Sequence, residues 1–163
     1  MKNLYCTIIV IIFFLPLLAN ETVNFSGQWS FDKARSEFGQ GGDRFVPLRL
    51  NIMQSDSMMM VVRSYQREYD DDFIDTLSFS LDGKENHSEF WHSPRVITAN
   101  WQEGGCLLTI KTWITFTHED QESEIFSTDI WKLDKNGSAL TRDFTINGPL
   151  GEMKAIYIFT KTD

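Results

Sequence analysis

The sequence predicts an all-β chain, an antiparallel up-and-down barrel of about 8 to 10 strands. Three observations predict it. Short stretches rich in β-branched and aromatic residues recur from Phe25 onward, separated by turn formers at roughly 8 to 12 residue intervals. Within most stretches apolar and polar residues alternate, which on a strand sends one set to each face. No stretch carries the three-to-four residue spacing of an amphipathic helix beyond a single turn at Asp32 to Phe38, where Asp32 can act as N-cap and Gly39 as stop.

The strands follow in order at 27–32, 47–54, 58–65, 73–81, 86–91, 95–102, 106–117, 123–133, 139–146 and 153–161. The turns between them are Ser55-Asp56-Ser57, Asp70-Asp71-Asp72, Asp82-Gly83-Lys84, Glu103-Gly104-Gly105, His118 to Glu122, Asp134 to Gly137 and Asn147-Gly148-Pro149. Gly and Asn tolerate positive φ, Asp bonds its own backbone and Pro fixes φ, so each cluster bends the chain for a stated reason. Alternation then assigns faces. Leu48, Leu50 and Ile52 share one side of their strand, as do Phe73, Leu77, Phe79 and Leu81, and later Leu108, Ile110, Ile114 and Phe116. One apolar and one polar face per strand suits antiparallel hairpins with a solvated side. Closure into a barrel removes exposed edges; a two-sheet sandwich is the competing architecture, and the short hairpin links favour the meander.

The first nineteen residues read as an export address. Lys2 precedes the apolar run Ile8 to Leu15, and Pro16, Leu17, Leu18 and Ala19 lead into polar Asn20, the order of a secretory signal peptide. The apolar stretch falls short of the roughly 20 residues a spanning helix needs. Residues 1–19 are therefore assigned to a signal peptide and 20–163 to one barrel domain. The mature protein is expected to be secreted or periplasmic, monomeric and not embedded in a membrane. A retained N-terminal anchor is the alternative.

Charge excludes two classes of partner. The chain has 23 acidic against 15 basic residues, a net charge of −8, with no run of Lys or Arg. Removing Lys2 with the signal makes the balance one unit more negative. Neither a nucleic-acid backbone nor an anionic membrane surface suits such a chain. Cleavage also removes Cys6, which leaves Cys106 without an internal disulfide partner; it is expected as a buried or half-buried strand residue.

Candidate chemistry concentrates on two late strands. If the turn at 134–138 pairs Leu133 with Leu140, Arg142 lies opposite Trp131 and diagonal to Asp129, pointing with the apolar set. A cation placed so gains a carboxylate and an aromatic face. Two readings stay open: an anchor for the anionic head group of a small lipophilic ligand, and a structural closure of the barrel end against Trp29. Arg142, Asp129, Trp131 and Trp29 are the candidate ligand-binding residues. One of Met58, Met59 and Met60 must face inward, where a thioether adapts to an irregular apolar surface.

Other groups carry less. Asp75 is expected at the barrel mouth or exposed, although as an inward acid it would invite a paired-carboxylate hydrolase with Asp129. His87, His92 and His118 do not converge on a metal, and His87 with His92 makes at most a weak surface site. Asp70-Asp71-Asp72 lacks the spaced ligands of a calcium loop. Asn20, Asn24, Asn86 and Asn136 head glycosylation triplets that matter only in a eukaryotic secretory route. No catalytic motif, metal ligand set or cofactor is predicted.

A resemblance adds to this reading. The segment Phe25 to Phe31, with Gly27-Gln28-Trp29 at its centre, resembles the opening strand of lipocalin-like (calycin) barrels. The set Ser36 to Gly39, Asp82 to Glu85, Asn100 to Gly104, Thr128 to Leu133, Asn136 to Thr141 and Gly148-Pro149 is similar, in order, to small uncharacterised secreted bacterial proteins of lipocalin-like type. The resemblance covers about 140 residues. It implies a calycin barrel with the Trp29 indole packed across a closed end and a basic residue of a late strand against it. It implies no activity. The loop after Trp101 departs from the usual Asp-Gly, so its hairpin geometry is expected to differ. The leading functional expectation is a barrel that binds a small hydrophobic or amphipathic ligand in its interior; the alternative is a solid-core barrel serving as an interaction or structural module.

Overall fold

The structure is a computed structural model that describes residues 22–39, 42–43, 46–66, 72–118, 121–149 and 151–162. The signal-peptide assignment, Asn20, Asp70, Asp71 and the His118 side chain lie outside the described residues. The described residues form eleven strands: β1 (Gly27–Phe31), β2 (Glu37–Phe38), β3 (Arg49–Gln54), β4 (Met58–Tyr65), β5 (Phe73–Ser80), β6 (Asn86–Phe90), β7 (Ser93–Gln102), β8 (Leu107–His118), β9 (Gln121–Leu133), β10 (Ala139–Gly148) and β11 (Gly151–Thr162). All pair antiparallel in the order β5-β4-β3-β1-β11-β10-β9-β8-β7-β6, with the two-residue β2 beside β11. The result is a nearly closed ten-strand barrel with almost no helix. No helix among the described residues is long and apolar enough to cross a membrane.

Tight turns set the registers. At the β9–β10 hairpin the Asp134 carboxylate accepts from the backbone N–H groups of Ser138 at 2.7 Å and Ala139 at 3.1 Å, and from Ser138 Oγ at 2.9 Å. Gly137 takes φ of 68° to complete the turn. This pins Leu133 opposite Leu140 and Trp131 opposite Arg142. The helical turn at 32–38 shortens to a 3-10 turn at Lys33–Arg35, capped by Asp32 Oδ1 accepting from the Arg35 N–H. Ser36 Oγ then accepts from the Ile158 N–H at 2.9 Å, which draws Glu37 and Phe38 onto β11.

Inward residues close one barrel end. Phe25 stacks on Trp101 with centroids 5.9 Å apart and meets Trp131 edge-on at 5.7 Å. The Trp29 indole N–H donates to the Phe25 carbonyl at 3.0 Å. Gln54 clasps the same segment, accepting from the Phe25 N–H and donating to the Val23 carbonyl, each at 2.9 Å. Gly27 has φ of 138°, and a Cβ there would meet Lys161 Cε at 2.7 Å, so the position before Gln28-Trp29 admits no side chain without movement. The core continues through Leu50, Ile52, Met59, Val61, Phe79, Ile97, Leu108, Leu140 and Phe159, all inside the barrel.

Two local expectations are corrected. Leu48 is exposed, because β3 begins only at Arg49 and alternation does not extend before the strand. Cys106 is exposed, not a buried strand residue, since it ends the 3-10 turn at Glu103–Gly105. That turn runs through three consecutive positive φ values, at Glu103, Gly104 and Gly105, and this is how the hairpin departs from a two-residue link. Of the three methionines Met59 faces in, while Met58 and Met60 face solvent.

Candidate functional site

The inner wall changes character along the barrel axis. Toward the Phe25–Trp29 end Phe25, Trp29, Leu108, Trp131 and Leu140 are fully buried, with Trp101 and Leu133 partly buried against them. Toward the opposite end, where β4 turns to β5, β8 to β9 and β10 to β11, the inward Tyr65, Phe73, Phe116, Ile125, Ile146 and Met153 keep partial exposure. Tyr65 and Phe73 lie with centroids 5.8 Å apart, Phe73 meets Phe90 at 6.1 Å and Trp91 at 5.3 Å, and Trp91 stacks on Phe90. Trp91 and His92 form the β6–β7 turn with φ of 47° and 63°, a conformation costly for bulky residues. The outcome is an aromatic rim at the barrel mouth with Trp91 60% exposed.

Two ion clusters lie on the inner wall between plug and rim. In the first, Arg142 Nε donates to Asp129 Oδ2 at 3.0 Å and Arg142 Nη2 donates to the same oxygen. The Arg142 guanidinium lies 5.3 Å from the Trp131 ring and 5.6 Å from that of Phe159. The register matches the expected placement of Arg142 opposite Trp131 and diagonal to Asp129; the Phe159 contact was not anticipated. The cation over Trp29, however, is Lys161 at 5.3 Å, its register partner on β11; Arg142 serves Trp131 and Phe159 instead. Two buried donors here have no acceptor among the described residues, Arg142 Nη1 and Trp131 Nε1. Burial raises the pKa of the nearby Tyr157 hydroxyl against the opposing charge of Arg142.

The second cluster was not expected. Asp75 is buried, and the expectation of an exposed or mouth position is corrected. It lies directly opposite Arg63, which donates to it through Nη2, and it accepts from Arg95 Nη1 at 3.0 Å on both oxygens. Arg95 also donates to Ser88 Oγ at 2.9 Å and to the Thr76 carbonyl at 3.1 Å. Alternation could have found both arginines, since Met59, Val61, Arg63 and Tyr65 share a face and so do Arg95, Ile97 and Ala99. Burial works against the Arg63 charge, but electrostatic interaction with Tyr65 and Asp75, the hydrogen bond to Asp75 and the more distant Asp129 together raise the pKa overall.

These contacts also span the place where the sheet's ladder stops, between β5 and β6. Asn86 is the other bridge there, accepting from the Ser80 N–H at 3.0 Å and donating to Ser80 Oγ at 3.2 Å. The barrel is thus closed at this seam by side chains. With both inward carboxylates held by arginine, neither is placed as a free general base, and the paired-carboxylate hydrolase gains nothing from the geometry. Exposed His87 lies 3.5 Å from Glu85, and no group of three potential metal ligands forms among the described residues.

Clefts among the described residues lie on both faces of the sheet. At the inner faces of β10 and β11, Phe144, Ile146, Met153 and Tyr157 border a cleft of about 10 Å³. Grooves of about 320 to 500 Å³ are lined mostly by outward residues of β1, β3, β4 and β11 and by β2.

No protein-family model and no curated protein matches the chain. Among solved structures it is similar to a zebrafish ileal bile acid-binding protein complexed with cholic acid, at 16% identity and a TM-score of 0.54, over 85% of this chain and 98% of that one. The likeness shows the fold: this chain is a calycin-like β-barrel.

Proposed function

We propose that the protein is an exported, monomeric barrel that takes a small hydrophobic or amphipathic molecule into its interior. The observation that carries this reading is the graded inner wall, plugged at one end by Phe25, Trp29, Trp101 and Trp131 and apolar but partly exposed at the other. Ligand sites of this kind are largely apolar with a few polar groups that set orientation. Trp131 and Arg142 supply two unmet donors at depth, Asp129 holds Arg142 in place, and Trp29 closes the floor. The structural neighbour is a barrel of the same fold complexed with cholic acid, which supports a lipophilic occupant. Export rests on the Lys2 to Ala19 segment.

The 10 Å³ cleft favours a second reading, a filled barrel acting as an interaction or structural module, since ligand pockets are roughly 300 to 1,000 Å³. On the leading reading the rim and seam must yield as a ligand enters. Native mass spectrometry of the purified protein, with Trp-fluorescence titration by lipophiles, separates the two. Saturable binding of one molecule per chain is expected, with Trp91 among the reporters; no co-purifying ligand and no saturable binding would leave the filled barrel. Intact mass of exported protein starting at Asn20 checks the leader assignment.

A further inference from the structure

We propose that the interior selects amphipathic monoanions, and that their head group, a carboxylate or a group of like charge and shape, is held at Arg63 of the Arg63–Asp75–Arg95 cluster. This rests on the reading of the interior as a ligand site and names the class of molecule it takes.

The argument begins with a charge count. On the inner wall between plug and rim, among the described residues, three guanidiniums face two carboxylates. Arg142 and Asp129 form one neutral pair. Asp75 is shared by Arg63 and Arg95, which leaves one positive charge unmatched. A surplus charge in a poorly hydrated site is costly, and an incoming anion relieves that cost.

Accessibility decides which arginine carries the surplus. Arg95 is 2% exposed and engages Ser88, Asp75 and the Thr76 carbonyl through all three of its nitrogens. The Arg142 side chain is 4% exposed and its charge is matched by Asp129. Arg63 is 19% exposed, meets Asp75 through Nη2, and has a buried Nε with no acceptor. Its guanidinium lies 5.8 Å from the Tyr65 ring, next to the aromatic rim. A guanidinium fork takes a carboxylate in two parallel hydrogen bonds. An alkyl or ring body attached to that carboxylate would then lie against Tyr65 and Phe73, the inner surface left partly exposed.

The test compares decanoate with decan-1-ol, which share a chain and differ in charge, by Trp-fluorescence titration at pH 7.5 and low ionic strength. The wild-type protein is expected to bind decanoate at least about tenfold more tightly than the alcohol. Arg63→Gln should bring the ratio close to one, and Asp75→Asn, which adds a second unmatched positive charge, should raise it. Equal wild-type affinities would overturn the anion site while leaving interior binding standing. No binding of either probe would overturn both. A preference abolished by Arg142→Gln but kept in Arg63→Gln would overturn the assignment to Arg63. Should Arg63→Gln fail to fold, Asp75→Asn decides alone: a ratio that stays level or falls refutes the inference.

Discussion

Asp129 and Arg142 give a sharp test of how the closed half of the barrel is held. Asp129 has no donor other than Arg142 among the described residues, and the two side chains are 11% and 4% exposed. Removing one partner strands the other charge in the wall, so Arg142→Met and Asp129→Leu should each cost about 3 to 5 kcal/mol. Replacing both removes the stranded charge. Because Arg142 Nη1 already lacks an acceptor, the native pair is incompletely satisfied, and the double variant should lie within about 2 kcal/mol of wild type or above it. The interaction free energy from the cycle is then at least about 4 kcal/mol, larger than exposed pairs give. Urea unfolding followed by Trp fluorescence, with linear extrapolation, measures all four proteins. Single variants costing under about 1 kcal/mol, or a double variant costing the sum of the singles, would refute the reasoning. The double variant also separates roles, since a fold retained with ligand binding lost would mark the pair as part of the site.

Trp29→Ala should destabilise by about 3 to 5 kcal/mol as a core truncation, because the indole is 1% exposed and its N–H fixes the Phe25 carbonyl; a measured cost below about 1 kcal/mol would mean the plug does not depend on it. Asp134 gives a pH-dependent prediction. Hydrogen bonds from the Ala139 backbone and from Ser138 hold its carboxyl below the ordinary carboxylate range, so its contribution is present above the unfolded value near about 3.9 and is lost as pH falls through the lower folded value. Asp134→Ala should therefore lower the thermal midpoint at pH 7, and the gap from wild type should narrow as pH falls through the lowered folded value; a gap that is constant with pH would sink the assignment.

What was legible in the sequence follows from how strands encode position. A period of two and a tight turn suffice to place Arg142 opposite Trp131 and diagonal to Asp129, because the Asp134–Gly137 turn leaves one register. The Arg63–Asp75 pair belongs to the β4–β5 hairpin, whose connection is too long to fix a register from composition. Arg95 reaches Asp75 across the seam, where no hairpin and no ladder links the strands, and sequence distance carries no information about such a contact. Cys106 falls outside its expected strand for a related reason: it caps the Glu103–Gly105 turn and β8 begins one residue later, at Leu107. Faces were readable wherever strands began and ended as assigned, and Leu48 shows that the pattern fails one residue outside.

The seam between β5 and β6 bears on how the interior can admit a guest. Everywhere else around the circumference, widening the barrel would break a row of backbone hydrogen bonds together. At the seam there is no ladder to break: a guanidinium and an amide side chain re-aim, Arg95 from Asp75 and the Thr76 carbonyl, and Asn86 from Ser80, and the Phe73 ring parts from Phe90 and Trp91. The girth of the barrel is therefore compliant along one line and stiff along the rest. Amide exchange should find that line as the place where the sheet breathes, and a guest that swells the barrel would leave every ladder intact.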